Sequence, residues 1–119
     1  MMSYKILIVD DNVDTARLLE LLLASKGHQA RCAADGAEAL QVAAEQQPDL
    51  VLLDLSLPDV DGFELAVRLR AMPGLDGVRL VAVTGWSDSE AAARAREVGF
   101  EAFFVKPVNM DKLTALLAQ

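Results

Sequence analysis

The sequence predicts an α/β protein, a doubly wound five-stranded parallel sheet flanked by five helices. Three observations carry this expectation. Short β-rich runs alternate with helix-like segments along the whole 119 residues. The runs around Ile6, Leu52 and Val81 are almost continuously apolar, as strands buried on both faces must be. Glycines and prolines punctuate the segments, leaving no linker, repeat or low-complexity stretch.

Taken in order, Tyr4 to Val9 reads as the first strand and ends in Asp10 and Asp11. A helix follows from Val13 to Lys26, with Leu18, Leu19, Leu22 and Leu23 on neighbouring turns and Gly27 at the C′ position. His28 to Ala34 is a second, more polar strand. Asp35-Gly36 breaks the chain before an alanine-rich helix, Ala37 to Gln46, that stops near Pro48. Leu50 to Asp54 is the third strand. Beyond a loop through Pro58 and Gly62, a helix runs from about Phe63 to Ala71 and meets a Pro73-Gly74 breaker. Val78 to Thr84 is the fourth strand. Ser87 opens the next helix with Glu90 at capping-box spacing, and Gly99 closes it. Glu101 to Val105 is the fifth strand, and Asn109 caps a last helix. The expected strand order is 2-1-3-4-5, with residues 1–119 forming one domain.

Composition narrows the function classes. Hydrophobic residues make up 53% and charged residues 24%, an ordinary globular balance. The net charge of −7 argues against direct binding to nucleic acid. No apolar run is long enough to span a bilayer and no signal peptide is evident, so the expected location is cytoplasmic. The single cysteine, Cys32, has no partner for an internal disulfide and reads as core filler.

The chemistry gathers at the strand ends. In an open α/β sheet, ligands bind outside the carboxyl ends of the strands. Those ends carry Asp10 and Asp11, Asp54, Thr84 and Lys106. Carboxylates crowded together repel one another unless a cation neutralises them. Mg²⁺ suits a few carboxylates plus phosphate oxygens, while Lys106 and the Thr84 hydroxyl supply donors for an anion. Such a set fits phosphoryl transfer with Asp54 as nucleophile.

The segments ILIVDDN, VLLDLSLPDVDG, VAVTG and FFVKP occur in the order and spacing of response-regulator receiver domains of two-component signalling, and the chain resembles that family over essentially its whole length. The resemblance implies a flavodoxin-like sheet and a phosphoryl group passing from a phosphohistidine, on a histidine kinase or histidine phosphotransfer domain, to Asp54. It implies that Asp10 and Asp11 bind Mg²⁺ with Asp54 and the Ser56 backbone carbonyl, Asp11 being the more direct ligand. Lys106 would contact the phosphate, and the peptide before Pro107 would be cis. Thr84 and Phe103 take the positions of the switch hydroxyl and the switch aromatic. Trp86, two beyond Thr84, is expected to shield the acyl phosphate from water and slow its loss. The output face would be the fourth helix, fifth strand and fifth helix, used by an effector or for self-association. VAVTGW and the terminal VKPVNMDKLTALLA resemble receivers of hybrid sensor histidine kinases, and the MMSYKILIVDD start fits an excised domain; a stand-alone regulator is the alternative.

Other residues receive plainer readings. Asp59 and Asp61 are loop residues, Asp61-Gly62 a turn, and Phe63, Phe100 and Phe104 packing residues. His28 lies at a strand edge without metal-spaced partners. Arg68, Arg70, Arg94 and Arg96 solvate helix faces. Two other classes compete. A flavin binder would need a phosphate cradle where Asp10-Asp11 stands, and an aspartyl phosphatase would need a second acid where Ser56 stands.

Overall fold

In the computed structural model, which describes residues 3–57, 59–85 and 89–118, the elements are β1 (Lys5–Val9), α1 (Val13–Ser25), β2 (Gln29–Ala33), α2 (Gly36–Gln46), β3 (Leu50–Asp54), α3 (Gly62–Arg70), β4 (Arg79–Thr84), α4 (Ser89–Val98), β5 (Ala102–Val105) and α5 (Met110–Leu117). All neighbouring strands pair in parallel, in the order β2-β1-β3-β4-β5. The expected topology is the observed one. The switch in strand order falls between β1 and β3, at the carboxyl end of the sheet.

Side-chain alternation splits the interior in two. Ile6, Ile8, Leu50, Leu52, Val81 and Val83 face Ala16, Leu19 and Leu23 of α1 and Leu113 and Leu117 of α5. Leu7, Val9, Val51, Leu53, Leu80 and Ala82 face α2, α3 and α4. β1, β3 and β4 are therefore buried on both faces, which explains their unbroken apolar runs. β2 pairs on one side only, and its burial alternates, hence its polar residues.

Several local readings are refined. Of the four leucines placed on neighbouring turns of the first helix, Leu19 and Leu23 are core, whereas Leu18 is 59% exposed. Asp61 is not a turn residue: it is the N-cap of α3, its carboxylate accepting from the Phe63 N–H at 2.8 Å. Asp59 accepts from the Gly36 N–H at 3.1 Å, pinning the β3–α3 loop to the start of α2. Arg70 does not merely solvate a helix, since it donates to the carbonyls of Val78 and Gly99 at 3.0 and 3.1 Å. Gly99 has φ 107°, which suits glycine at a helix end. Pro58 and the Ser87 cap lie outside the described residues. Cys32 is half-buried, its Sγ 3.6 Å from Glu20; burial, then the Glu20 charge, pushes the thiol up to about 12. None of the described helices is long and apolar enough to cross a membrane.

His28 precedes β2, and its Nδ1 accepts from the Tyr4 N–H at 3.1 Å. That bond requires an unprotonated Nδ1. Burial, aided by the Lys26 charge, holds the imidazole below its ordinary range. The unfolded chain thus binds the proton more readily. The bond's stabilisation is present above about pH 6.5 and lost as pH falls toward the lower folded value. The thermal midpoint of the wild type should fall more steeply on acidification than that of His28→Gln, and parallel slopes would contradict the assignment.

Candidate functional site

β1 and β3 run side by side with Val9 opposite Leu53, so Asp10 and Asp54 leave the sheet together at the topological switch. Both continue the parity of the Ile8 and Leu52 side chains, and Lys106 follows Phe104 with the same parity. The result is a small polar cluster above the α1–α5 core. Asp10 is 4% exposed and Asp54 2%, and Lys106 Nζ lies 3.0 Å from an oxygen of each. Asp11 is exposed beside them, and carboxylate oxygens of Asp10, Asp11 and Asp54 lie within 4.8 Å of one another.

Local chain geometry holds each group. The Asp10 carboxylate accepts from the Asn12 N–H at 2.9 Å, while Asn12 caps α1 through the Thr15 N–H at 3.0 Å. The Asp10-Asp11-Asn12 turn therefore serves both cap and site. Asp54 Oδ1 accepts from the Ser56 N–H at 2.9 Å and its hydroxyl at 2.7 Å, and Oδ2 accepts from Lys106 at 3.0 Å. Burial alone would push the Asp54 carboxyl up. The two Ser56 donors and Lys106 outweigh it, so the group stays ionised below the usual carboxylate range. Burial likewise opposes the Lys106 charge, and the hydrogen bonds that Lys106 donates to Asp54 and Asp10 raise it again. Like charges packed this closely, with hard oxygen donors and one side open at Asp11, can hold a divalent metal ion.

Thr84 ends β4, fully buried, with its carbonyl accepting from the Lys106 N–H at 2.7 Å. It shares the parity of Leu80 and Ala82, on the α3–α4 side of the sheet, opposite to Asp54. Phe103, opposite Ala82 in the register, is half-buried against that same core. The Lys106–Pro107 peptide is cis. Trp86 lies outside the described residues.

A doubly wound sheet with three carboxylates and a lysine at its switch point is the architecture of a phospho-accepting signalling domain. The chain belongs to the response regulator receiver domain family, whose model matches residues 6–118. It is 34% identical over 113 residues to sporulation initiation phosphotransferase F of Bacillus subtilis, covering 95% of this chain and 90% of that protein. It is 39% identical to the sensor histidine kinase RcsC of Salmonella typhi, again over 95% of this chain but only 12% of the kinase. The chemotaxis protein CheY4 of Vibrio cholerae has a similar structure, with a TM-score of 0.90 at 27% identity over 98% of both chains. Two-component signalling is therefore the setting in which this site works.

Proposed function

We propose that Asp54 is the phosphoacceptor, taking its phosphoryl group from a phosphohistidine of a histidine kinase or histidine phosphotransfer domain. The observation that carries this reading is a buried carboxylate kept ionised at a strand end, 3.0 Å from Lys106 and beside two further carboxylates. An Asp54 oxygen attacks phosphorus, the P–N bond breaks with its electron pair returning to the ring, and the imidazole, protonated on its other nitrogen, leaves neutral, giving an acyl phosphate. Lys106 places its ammonium where the phosphoryl oxygens arrive. Asp10, Asp11, Asp54 and the Ser56 carbonyl would hold Mg²⁺, which when bound supplies charge neutralisation for those oxygens. Such a domain works on itself, by self-phosphotransfer and autodephosphorylation, in the cytoplasm and without contacting nucleic acid. Thr84 turns toward the new dianion, Phe103 follows, and the altered α4–β5–α5 face reports to an effector domain or a second copy. Trp86 slows hydrolysis of the acyl phosphate.

The donor protein must cover the rim around Asp54. On its α1 side the rim carries an apolar groove of about 310 Å³ lined by Thr15, Leu18, Leu22, Pro107, Val108 and Met110. A helix bearing the phosphohistidine fits there, with Leu18 as an exposed anchor. Leu18→Gln should slow transfer from a phosphohistidine partner by roughly tenfold, the worth of one good apolar anchor, and leave phosphorylation by acetyl phosphate unchanged. Equal partner rates would remove Leu18 from the interface. The primary test is intact-mass measurement after incubation with acetyl phosphate and Mg²⁺. One phosphoryl adduct per chain is the expected result, and its absence would refute the reading.

A further inference from the structure

We propose that Arg94 latches α4 onto the start of α3 and that this latch restrains phosphorylation of Asp54; the inference rests on the reading of Asp54 as phosphoacceptor. α4 fully buries fewer of its residues than any other helix. Within it only Ala95 is buried, whereas α3 buries Gly62, Phe63, Leu65, Ala66 and Leu69. Alanine offers little apolar area, so burial alone holds α4 weakly. Arg94 supplements it. Its guanidinium lies 4.2 Å above the centre of the Phe63 ring, and its Nη2 is 3.4 Å from Asp61 Oδ2. Phe63 in turn meets the edge of Phe100, the residue after Gly99, with ring centres 6.2 Å apart. One carboxylate thus serves two helices, capping α3 through Oδ1 and holding Arg94 through Oδ2.

The anchor point lies against the phosphoacceptor's own backbone. A Cβ at Gly62 would sit 2.8 Å from Leu55 Cα and 3.3 Å from the Asp54 carbonyl oxygen. Thr84, on the same side of the sheet as α3 and α4, immediately precedes the connection to α4. When Thr84 turns toward a phosphoryl group, α4, the next element in the chain, must accommodate the change at the end of β4, and the latch resists. Linkage then requires that releasing the latch favours the phosphorylated state to the same degree.

The test uses the whole chain, Mg²⁺ and acetyl phosphate, with Arg94→Gln, Arg94→Lys, Asp61→Asn and the double variant Arg94→Gln/Asp61→Asn. Asparagine keeps the α3 cap and removes only the charge. Arg94→Gln is expected to phosphorylate about three- to fivefold faster than wild type, the factor that an exposed ring contact and ion pair can carry. Arg94→Lys should fall between the two. The double variant should gain less than the product of the single gains, because both changes break one contact. Amide exchange in unphosphorylated Arg94→Gln should quicken in α4 and stay protected in β1 and β3. A mere packing role would quicken exchange across the sheet and leave phosphorylation at or below the wild-type rate. That result, or unchanged exchange in α4, overturns the latch. A wild type that takes no phosphoryl group overturns the underlying reading instead.

Discussion

Asp54→Asn is expected to abolish phosphoryl transfer, lowering adduct formation by at least about a hundredfold from either acetyl phosphate or a phosphohistidine donor. Asparagine matches aspartate in volume, so the β3 terminus should keep its packing. Its carbonyl oxygen can still accept from the Ser56 N–H and hydroxyl, which now hold Asp54 Oδ1. What vanishes is the anionic nucleophile, and the amide turns a donor toward Lys106, which then pairs with Asp10 alone. One buried carboxylate fewer also relieves repulsion with Asp10 and Asp11. Stability should therefore hold to within about 1 kcal/mol or rise. Intact mass and a thermal melt separate the two effects. A persistent adduct in a fully folded variant would move the acceptor to a neighbouring acid.

The parts of this site that periodicity could reach were legible because they sit at element ends. Apolar runs fix where β1, β3, β4 and β5 stop, and the doubly wound topology then brings Asp10, Asp54, Thr84 and Lys106 to one edge. Pairings between elements far apart in sequence were less so. Arg94 on Phe63, Arg70 on the Val78 and Gly99 carbonyls, and Asp59 on Gly36 each join segments whose approach no local pattern encodes. Asp61 is different, because its signal was present. An aspartate ahead of Gly62-Phe63-Glu64 has capping-box spacing, and the Asp-Gly pair masked it as a turn. The exposure of Leu18 went unread for a third reason. Five leucines in the six positions from Leu18 to Leu23 are wider than one buried stripe, and α1 fills its core side with Ala16, Leu19 and Leu23. The leftover apolar surface then sits beside the phosphoacceptor rim, where a partner helix can use it.

Lys106→Met should have the largest effect on stability, because one ammonium serves two buried carboxylates. Its Nζ lies 3.0 Å from both Asp10 and Asp54. Removing one partner of a buried pair costs about 3–5 kcal/mol; with the Lys106 side chain 27% exposed, about 2 kcal/mol is expected near neutral pH. The pH dependence carries a sign. In the wild type, burial raises the Asp54 carboxyl, but Ser56 and Lys106 bring it below its usual range. This adds stability above about pH 4, which is lost as pH falls through the lower folded value. Lys106 is shifted the other way, burial lowering it and its two carboxylate partners raising it further. Its share is present below about pH 10.4 and lost as pH rises through the folded value. In the variant only Ser56 opposes burial, so the Asp54 carboxyl moves up and the stability deficit shrinks on acidification. Mg²⁺ should raise the variant's thermal midpoint more than the wild type's, since the ion would replace the missing cation among the same oxygens. Acyl-phosphate formation should fall by at least about tenfold even at saturating Mg²⁺ if, as proposed, the Lys106 ammonium also meets the incoming phosphoryl oxygens. Denaturation of both proteins across acidic and neutral pH, with and without Mg²⁺, checks each part. A constant deficit insensitive to proton or metal would mean that the aliphatic stem of Lys106, and not its charge, holds this rim together.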